Sequence, residues 1–393
     1  MEKNILTTPL SELTNVDIDC TCGKRHSIHI GTIEISRGAS GRVAEIAAPY
    51  FAKGPVLVVC DVNTYAVLGK KIHEQLKAAG ADADCYVFPE KHLHPDAFAV
   101  GRLLIEATDE RRNYSLLIAV GSGTLNDITR LVSGRAGLPY FIVGTAPSMD
   151  GYAGNSSPIV CRGTKMSFYS HYADAIIADT EIMAQAPAWM LAAGLGDVMG
   201  KYVALADWKM DEDLCGAYRC EMISQFMANA VEKCAATAAD VARRDPDAVG
   251  TMMEALTLAG MAMGLATVTR PASGCEHHMA HYIDIDLISR GLDYPLHGNT
   301  VGITAMAMLR FYEMARRDGL TALETPTADV VREMIERIGG PTRPAEIGVE
   351  PELFRRAMLE AKNLRPQYSM LKHVDKYGKL EEYTEVVMKE MCN

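Results

Sequence analysis

SLLIAVGSGTLND, residues 115–127, decides the fold. Its first six residues are almost entirely apolar and do not alternate, as expected of a strand covered on both faces. A Gly-Ser-Gly turn follows at once and opens a helical pattern. Strand, glycine turn and helix together form the repeating unit of a parallel α/β sheet. Glycines let the backbone approach a pyrophosphate, and the free N–H groups of a helix start attract its charge. The same residues also fit a plain tight turn, because the full G-x-G-x-x-G spacing is absent. Both readings stand at Gly121, Ser122, Gly123 and Thr124.

Outward from this unit the alternation continues. Residues 55–60 form a short apolar run followed by a helical pattern over 63–79, which stops at Gly80. A strand is predicted over 83–88, a helix over 95–107, and further strands over 140–143 and 173–178. The expectation is a doubly wound, mostly parallel sheet. Near Pro187 the pattern changes to long helices over 190–209, 214–244, 247–269, 273–284, 300–317 and 328–338, with no convincing strand. The reading is an α/β domain over 1–187 and an all-helical domain over 188–393.

A chain of 393 residues suits two domains better than one core. Its net charge of −11 disfavours nucleic acid as the main partner, which would need clustered Lys and Arg. A small anionic substrate remains compatible, since a basic pocket can sit in an acidic surface. The amino-terminal stretch has no basic segment followed by an apolar one, and no apolar run has the length of a membrane span. The longest candidate, 252–268, is interrupted by Glu254, Gly260 and Gly264. A cytoplasmic homo-oligomer with ten reduced, packed cysteines is expected.

The densest chemistry lies in RPASGCEHHMAH, residues 270–281. Ser273 and Glu276 have the spacing of a capping box, placing a helix start there. On that helix His277 and His281 share a face, and His297 follows in PLHG, residues 295–298. Neutral imidazoles suit zinc and similar divalent ions, and a catalytic site commonly takes three protein ligands. Asp197, in what reads as a glycine-rich helix start (AGLGDVMGK, 193–201), is the best carboxylate to join them. The plainer alternative is a group of surface histidines. Asp61, just after the run ending at Cys60, fits either an adenosine-ribose acceptor or a helix N-cap.

Taken in order, GSGTLND (121–127), GTAPSMDGYAGNSSP (144–158), IIADTEIMAQAPAWMLAAGLGDVMGKY (176–202), RPASGCEHHMAH and PLHGNTVG (295–302) resemble the glycerol-1-phosphate dehydrogenases, especially the bacterial type. More distantly they resemble glycerol dehydrogenase and the iron-containing alcohol dehydrogenases. The resemblance runs from about residue 40 to 310. It implies a dehydroquinate synthase-like fold and metal-dependent, NAD- or NADP-linked reduction of dihydroxyacetone phosphate to sn-glycerol 1-phosphate, for glycerophospholipid synthesis. It also implies one divalent ion, usually zinc, on Asp197, His277 and His297, with His281 near the substrate as a possible proton donor. Gly121, Ser122 and Gly123 match the pyrophosphate turn, with Asp127 nearby. Thr145 and Ser148 match contacts to the nicotinamide half, Asp150 a substrate contact, and Asp61 the ribose position. His278 has no counterpart and reads as packing or surface.

For the substrate phosphate, Lys165, Arg270 and the helix start at 273–274 are candidates, against a solvated lysine and a surface ion pair. Iron-type relatives carry a further histidine four residues after the aspartate, where this chain has Lys201, so a three-ligand site fits better. CTCGKRH, residues 20–26, is similar to the bacterial type as well. Two cysteines and a histidine are too few sure ligands, and the segment reads as a packed hairpin. Glycerol dehydrogenase, dehydroquinate synthase and a nucleotide-independent metal hydrolase are the competing functions.

Overall fold

The structure is a computed structural model that describes residues 5–392; residues 1–4 and 393, at the outer ends of the two expected domains, lie outside the described residues. The chain divides into two compact units. The first takes the described residues up to Ile18, Ser27–Ala186 and Arg244–Met261; the second takes Asp19–His26, Pro187–Arg243 and the described residues from Ala262 onward.

Ten strands are described: β1 (Asn15–Asp19), β2 (Arg25–His29), β3 (Thr32–Ser36), β4 (Val56–Asp61), β5 (Ala83–Phe88), β6 (Leu116–Gly121), β7 (Tyr140–Gly144), β8 (Ser156–Cys161), β9 (Thr164–Tyr169) and β10 (Ala175–Asp179). Six form one sheet in the order β3-β10-β7-β6-β4-β5, parallel throughout. The five runs picked from sequence all lie in it. β4, β6, β7 and β10 are buried on both faces, which is why they read as continuous apolar runs. One side of the core is built from Val56, Val58, Leu116, Ile118, Phe141, Val143, Ala175 and Ile177.

β3 is hidden in the sequence because TIEIS, at the sheet edge, is polar at alternate positions and only Ile33 is buried. The antiparallel pair β8–β9 was missed for a similar reason: its faces are half exposed. The single helix expected over 63–79 is a short turn, a π-helical segment at Tyr65–Gly69 and a helix at Lys70–Ala78.

No strand follows Asp179 among the described residues. The α-helices after it are Thr180–Met183, Ala188–Cys215, Glu221–Ala236, Ala238–Ala242, Pro246–Ala266, Cys275–Ser289, His297–Arg317, Ala328–Arg337, Pro351–Glu360, Met370–Lys376 and Leu380–Met391. The helix expected over 214–244 does not exist as one piece: Gly216, at φ 66°, caps the helix ending at Cys215, and a new one starts at Glu221. Pro246–Ala266 is long and apolar enough to cross a membrane by length and composition, but 72% of its apolar window is buried in the protein, as in a core helix.

Candidate active site

The glycine turn is set by packing. β6 ends at Gly121, where a Cβ would collide with Leu125, and Gly123 opens the helix Gly123–Ala136. Ser122 is its N-cap and makes no side-chain cap, so the first-turn N–H groups are not taken by that hydroxyl. The Thr145 N–H donates to the Gly121 carbonyl at 2.9 Å, bringing the second loop beside the first. Thr145 and Ser148 are buried there.

Asp127 is buried in the same helix, and its Oδ1 accepts from Arg130 Nη1 at 3.0 Å. Burial pushes its carboxyl up to about 7, against the opposing pull of Arg130 and Lys165. Arg130, absent from the sequence reading, is fully buried and also donates to Tyr140 Oη and to the carbonyls of Ser156 and Gly151. It pins the 151–156 loop to the helix. Asp150 and Lys165 are half-buried and close enough to Asp127 to act on its charge. Asp61 is the N-cap of the turn after β4, with Oδ1 accepting from the Asn63 and Thr64 N–H groups at 2.9 and 2.8 Å.

In the second unit, Asp197, His277 and His297 come together: one ligand atom from each lies within 4.8 Å of the others. Asp197 is not at a helix start as expected but in the middle of Ala188–Cys215. That helix runs against His297–Arg317 through glycines. A Cβ at Gly196 would sit 2.5 Å from the Gly298 carbonyl and 3.0 Å from Gly302 Cα, and one at Gly298 would overlap the Ala193 carbonyl. This backbone approach places Asp197 beside His297, the first residue of its helix. His277 enters from the first turn of Cys275–Ser289. His281 stacks on His297, with ring centroids 5.5 Å apart and planes 21° from parallel. Fully buried Asp284 can share a ligand cluster with these two.

Glu276 orients His277. Its Oε1 accepts from His277 Nδ1 at 2.7 Å and from the Gly274 N–H at 2.8 Å. With Nδ1 held by Glu276, Nε2 is the nitrogen that faces Asp197 Oδ1, 3.6 Å away, and that an ion would use. The expected Ser273 cap is not what starts this helix: Gly274 is the N-cap, and a Cβ there would meet Glu276 and Asp207. Asp207, fully buried, accepts from the Cys275 N–H, Tyr312 Oη and the Met370 N–H, and so fixes the helix start from below.

Lys201 is fully buried, with Nζ 2.5 Å from Asp197 Oδ1. Burial alone would raise the Asp197 carboxyl, but Lys201, His277 and His297 hold it far below the usual range. For His277, burial and Lys201 pull the imidazole down, yet Asp197 and Glu276 win and draw it up to about 9. Without an ion, the protonated His277 ring and the Lys201 ammonium balance the two buried carboxylates, and a divalent cation would take the place of that ring proton. The site therefore suits a divalent cation, and the donor set of one carboxylate and two imidazoles matches what such ions take.

Arg270 is buried, not a surface ion pair. Its Nη2 donates to the carbonyls of Asp207 at 2.6 Å and Tyr368 at 3.1 Å, and lies 3.4 Å from Asp211. Its Nε and Nη1 are buried with no protein partner. His278 is packed, and burial, with Arg270 nearby, pushes it down to about 3, so it is neutral.

The family model described as iron-containing alcohol dehydrogenase matches residues 34–187. A glycerol-1-phosphate dehydrogenase [NAD(P)+] of Bacillus licheniformis is 33% identical over 380 residues, covering 92% of this chain and 93% of that protein. One from Pyrococcus furiosus is 30% identical over 338 residues, covering 86% and 91%. Among solved structures, glycerol dehydrogenase from Schizosaccharomyces pombe superposes with a TM-score of 0.67 at 17% identity, covering 92% of this chain and 91% of that one. Maleylacetate reductase from Rhizobium sp. strain MTP-10005 gives 0.65 at 17%, covering 91% and 97%. At that identity the likeness is one of fold.

Proposed function

The chain belongs to the glycerol-1-phosphate dehydrogenase family of the iron-containing alcohol dehydrogenases, and from that premise we propose a role for each residue of the site. The enzyme is an NAD(P)-dependent oxidoreductase that interconverts dihydroxyacetone phosphate and sn-glycerol 1-phosphate.

Asp197, His277 and His297 hold the divalent ion, zinc in this reading; their convergence within 4.8 Å supports the assignment most directly. When bound, the ion supplies Lewis-acid polarisation of the substrate oxygen and the nicotinamide supplies the hydride. Glu276 fixes the tautomer and orientation of His277. Lys201 keeps Asp197 ionised and in place, and as a charged ammonium it cannot be a fourth ligand. His281, stacked on His297, serves the substrate oxygen as the group able to pass it a proton.

Gly121, Ser122, Gly123 and Thr124 receive the pyrophosphate on the N–H groups of the helix start. Asp127, Thr145 and Ser148 line that turn toward the nicotinamide half, and Asp61 serves the ribose while capping its own helix. Asp150 and Lys165 contact substrate. Arg270 serves the phosphate, which its two unpartnered buried donors support. A cytoplasmic homo-oligomer completes the proposal.

The deciding assay follows NADH oxidation with dihydroxyacetone phosphate and, separately, dihydroxyacetone, then determines the product enantiomer. Strong preference for the phosphate and formation of sn-glycerol 1-phosphate are expected. Equal use of both ketones would remove the phosphate assignment of Arg270 and Lys165 and favour a glycerol dehydrogenase.

A further inference from the structure

The segment CTCGKRH forms a hairpin tip, as its packed reading expected: β1 and β2 pair, the Cys20 N–H donates to the Lys24 carbonyl, and Gly23 turns at φ 84°. The sequence offered only three ligand-type side chains there. The fold supplies a fourth, Cys220, from 200 residues away.

Cys20, Cys22, His26 and Cys220 each place one ligand atom within 4.8 Å of all the others. The Cys20 and Cys220 sulfurs are 3.7 Å apart. His26 Nε2 is 3.3 Å from Cys22 Sγ and 3.5 Å from Cys220 Sγ. A tetrahedral zinc, with bonds of about 2.3 Å to sulfur and about 2.05 Å to nitrogen, needs edges of about 3.8 Å between sulfurs and about 3.5 Å between sulfur and nitrogen. These three edges match within about 0.2 Å, and the other three lie within 4.8 Å. A covalent disulfide, at about 2.05 Å, does not.

The surroundings are those of a closed site. His26 is 1% exposed and Cys220 fully buried. His26 Nδ1 lies 2.7 Å from the Leu265 carbonyl, which fixes the N–H on that nitrogen and leaves Nε2 as the lone-pair donor. Cys220 is the N-cap of the 16-residue helix Glu221–Ala236, whose dipole favours a thiolate. Three thiolates, one imidazole and a divalent ion carry one net negative charge. Lys24 answers it: its Nζ sits 3.3 Å over the Tyr218 ring, whose Oη is 3.9 Å from Cys22 Sγ.

We infer that Cys20, Cys22, His26 and Cys220 form a structural zinc site, separate in ligands from the Asp197–His277–His297 set, that fastens the hairpin tip to the start of the Glu221–Ala236 helix. With all four positions filled by protein the ion has no open coordination position, so the site stabilises and does not catalyse. Binding replaces three S–H protons, released to water, by three S–metal bonds, with no change of oxidation state.

Cobalt(II) substitution of the full-length enzyme separates the two sites, because only thiolates give an intense near-ultraviolet ligand-to-metal charge-transfer band. The wild type should show that band with the strong visible bands of a tetrahedral ion. His277→Ala should keep it, while Cys220→Ser and Cys22→Ser should lose it and retain dehydrogenase activity. Metal analysis should give about two ions per wild-type chain and about one in each single-site variant. If the cysteine variants do not fold, titrating wild-type thiols with an organomercurial should release about one ion per chain as the band disappears. A folded, active wild type without the band, or with a Cys20–Cys220 disulfide by mass spectrometry, overturns the inference.

Discussion

Two clusters of ligand-type side chains in the helical unit, among those its described residues form, differ in almost every respect. Asp197, His277 and His297 are hard or borderline donors held by helices, with Glu276, Lys201 and Asp207 fixing them from behind. Cys20, Cys22, His26 and Cys220 are mostly soft donors held by a turn and one helix cap, with the Leu265 carbonyl, the Tyr218 hydroxyl and the Lys24 and Ile223 backbones as polar contacts. In the roles proposed above, the first set would give an ion three protein ligands and leave coordination for a substrate, while the second would give four and close on itself. Donor number, more than donor strength, separates a site built for chemistry from one built for holding.

The sharpest way to break this contrast is His277→Ala. It should lower kcat/KM by roughly 1,000-fold, the loss of several kcal/mol of transition-state stabilisation, with the thermal midpoint nearly unchanged. A loss under tenfold would remove His277 from the catalytic set. Glu276→Gln comes next. It keeps the shape but weakens the grip on Nδ1, so metal affinity measured by competition with a chelator should fall about 10–100-fold. An unchanged affinity would reduce Glu276 to a helix-start residue.

Cys220→Ser probes the other cluster and should invert the signature. Activity at low temperature should stay within about twofold, while the thermal unfolding midpoint drops by roughly 6–12 °C, corresponding to about 3 kcal/mol. A fall in kcat with no change in midpoint would contradict the division of labour. Asp61→Ser, away from both clusters, is the smallest. Serine keeps a cap for the Asn63 and Thr64 N–H groups but removes the charge, so the NADPH-to-NADH preference should rise by no more than about tenfold.

The same contrast explains what was legible in the sequence. Local signals survived folding: the apolar strands, the Gly121 turn and the pairing of His277 with His281 on one helix need only neighbours within a few residues. Asp197 and His297 are 100 positions apart, and no spacing rule joins them; family resemblance did. Cys220 had neither a local pattern nor a counterpart to point to it, so CTCGKRH looked short of ligands. The three-residue offset of Glu276 from Ser273 suggested a capping box, whereas the folded chain uses the carboxylate for the Gly274 amide and the His277 ring. Arg130 and Lys201 were obscure because a cation's burial is decided by which carboxylates and carbonyls the fold brings to it.

Gly196 precedes Asp197 and Gly298 follows His297, so the residues that let two backbones touch are chain neighbours of two ligands. Docking these helices and assembling the site are therefore one event. A single methyl at either glycine would meet the opposing backbone at 2.5 Å or less and push apart the two residues proposed to share an ion.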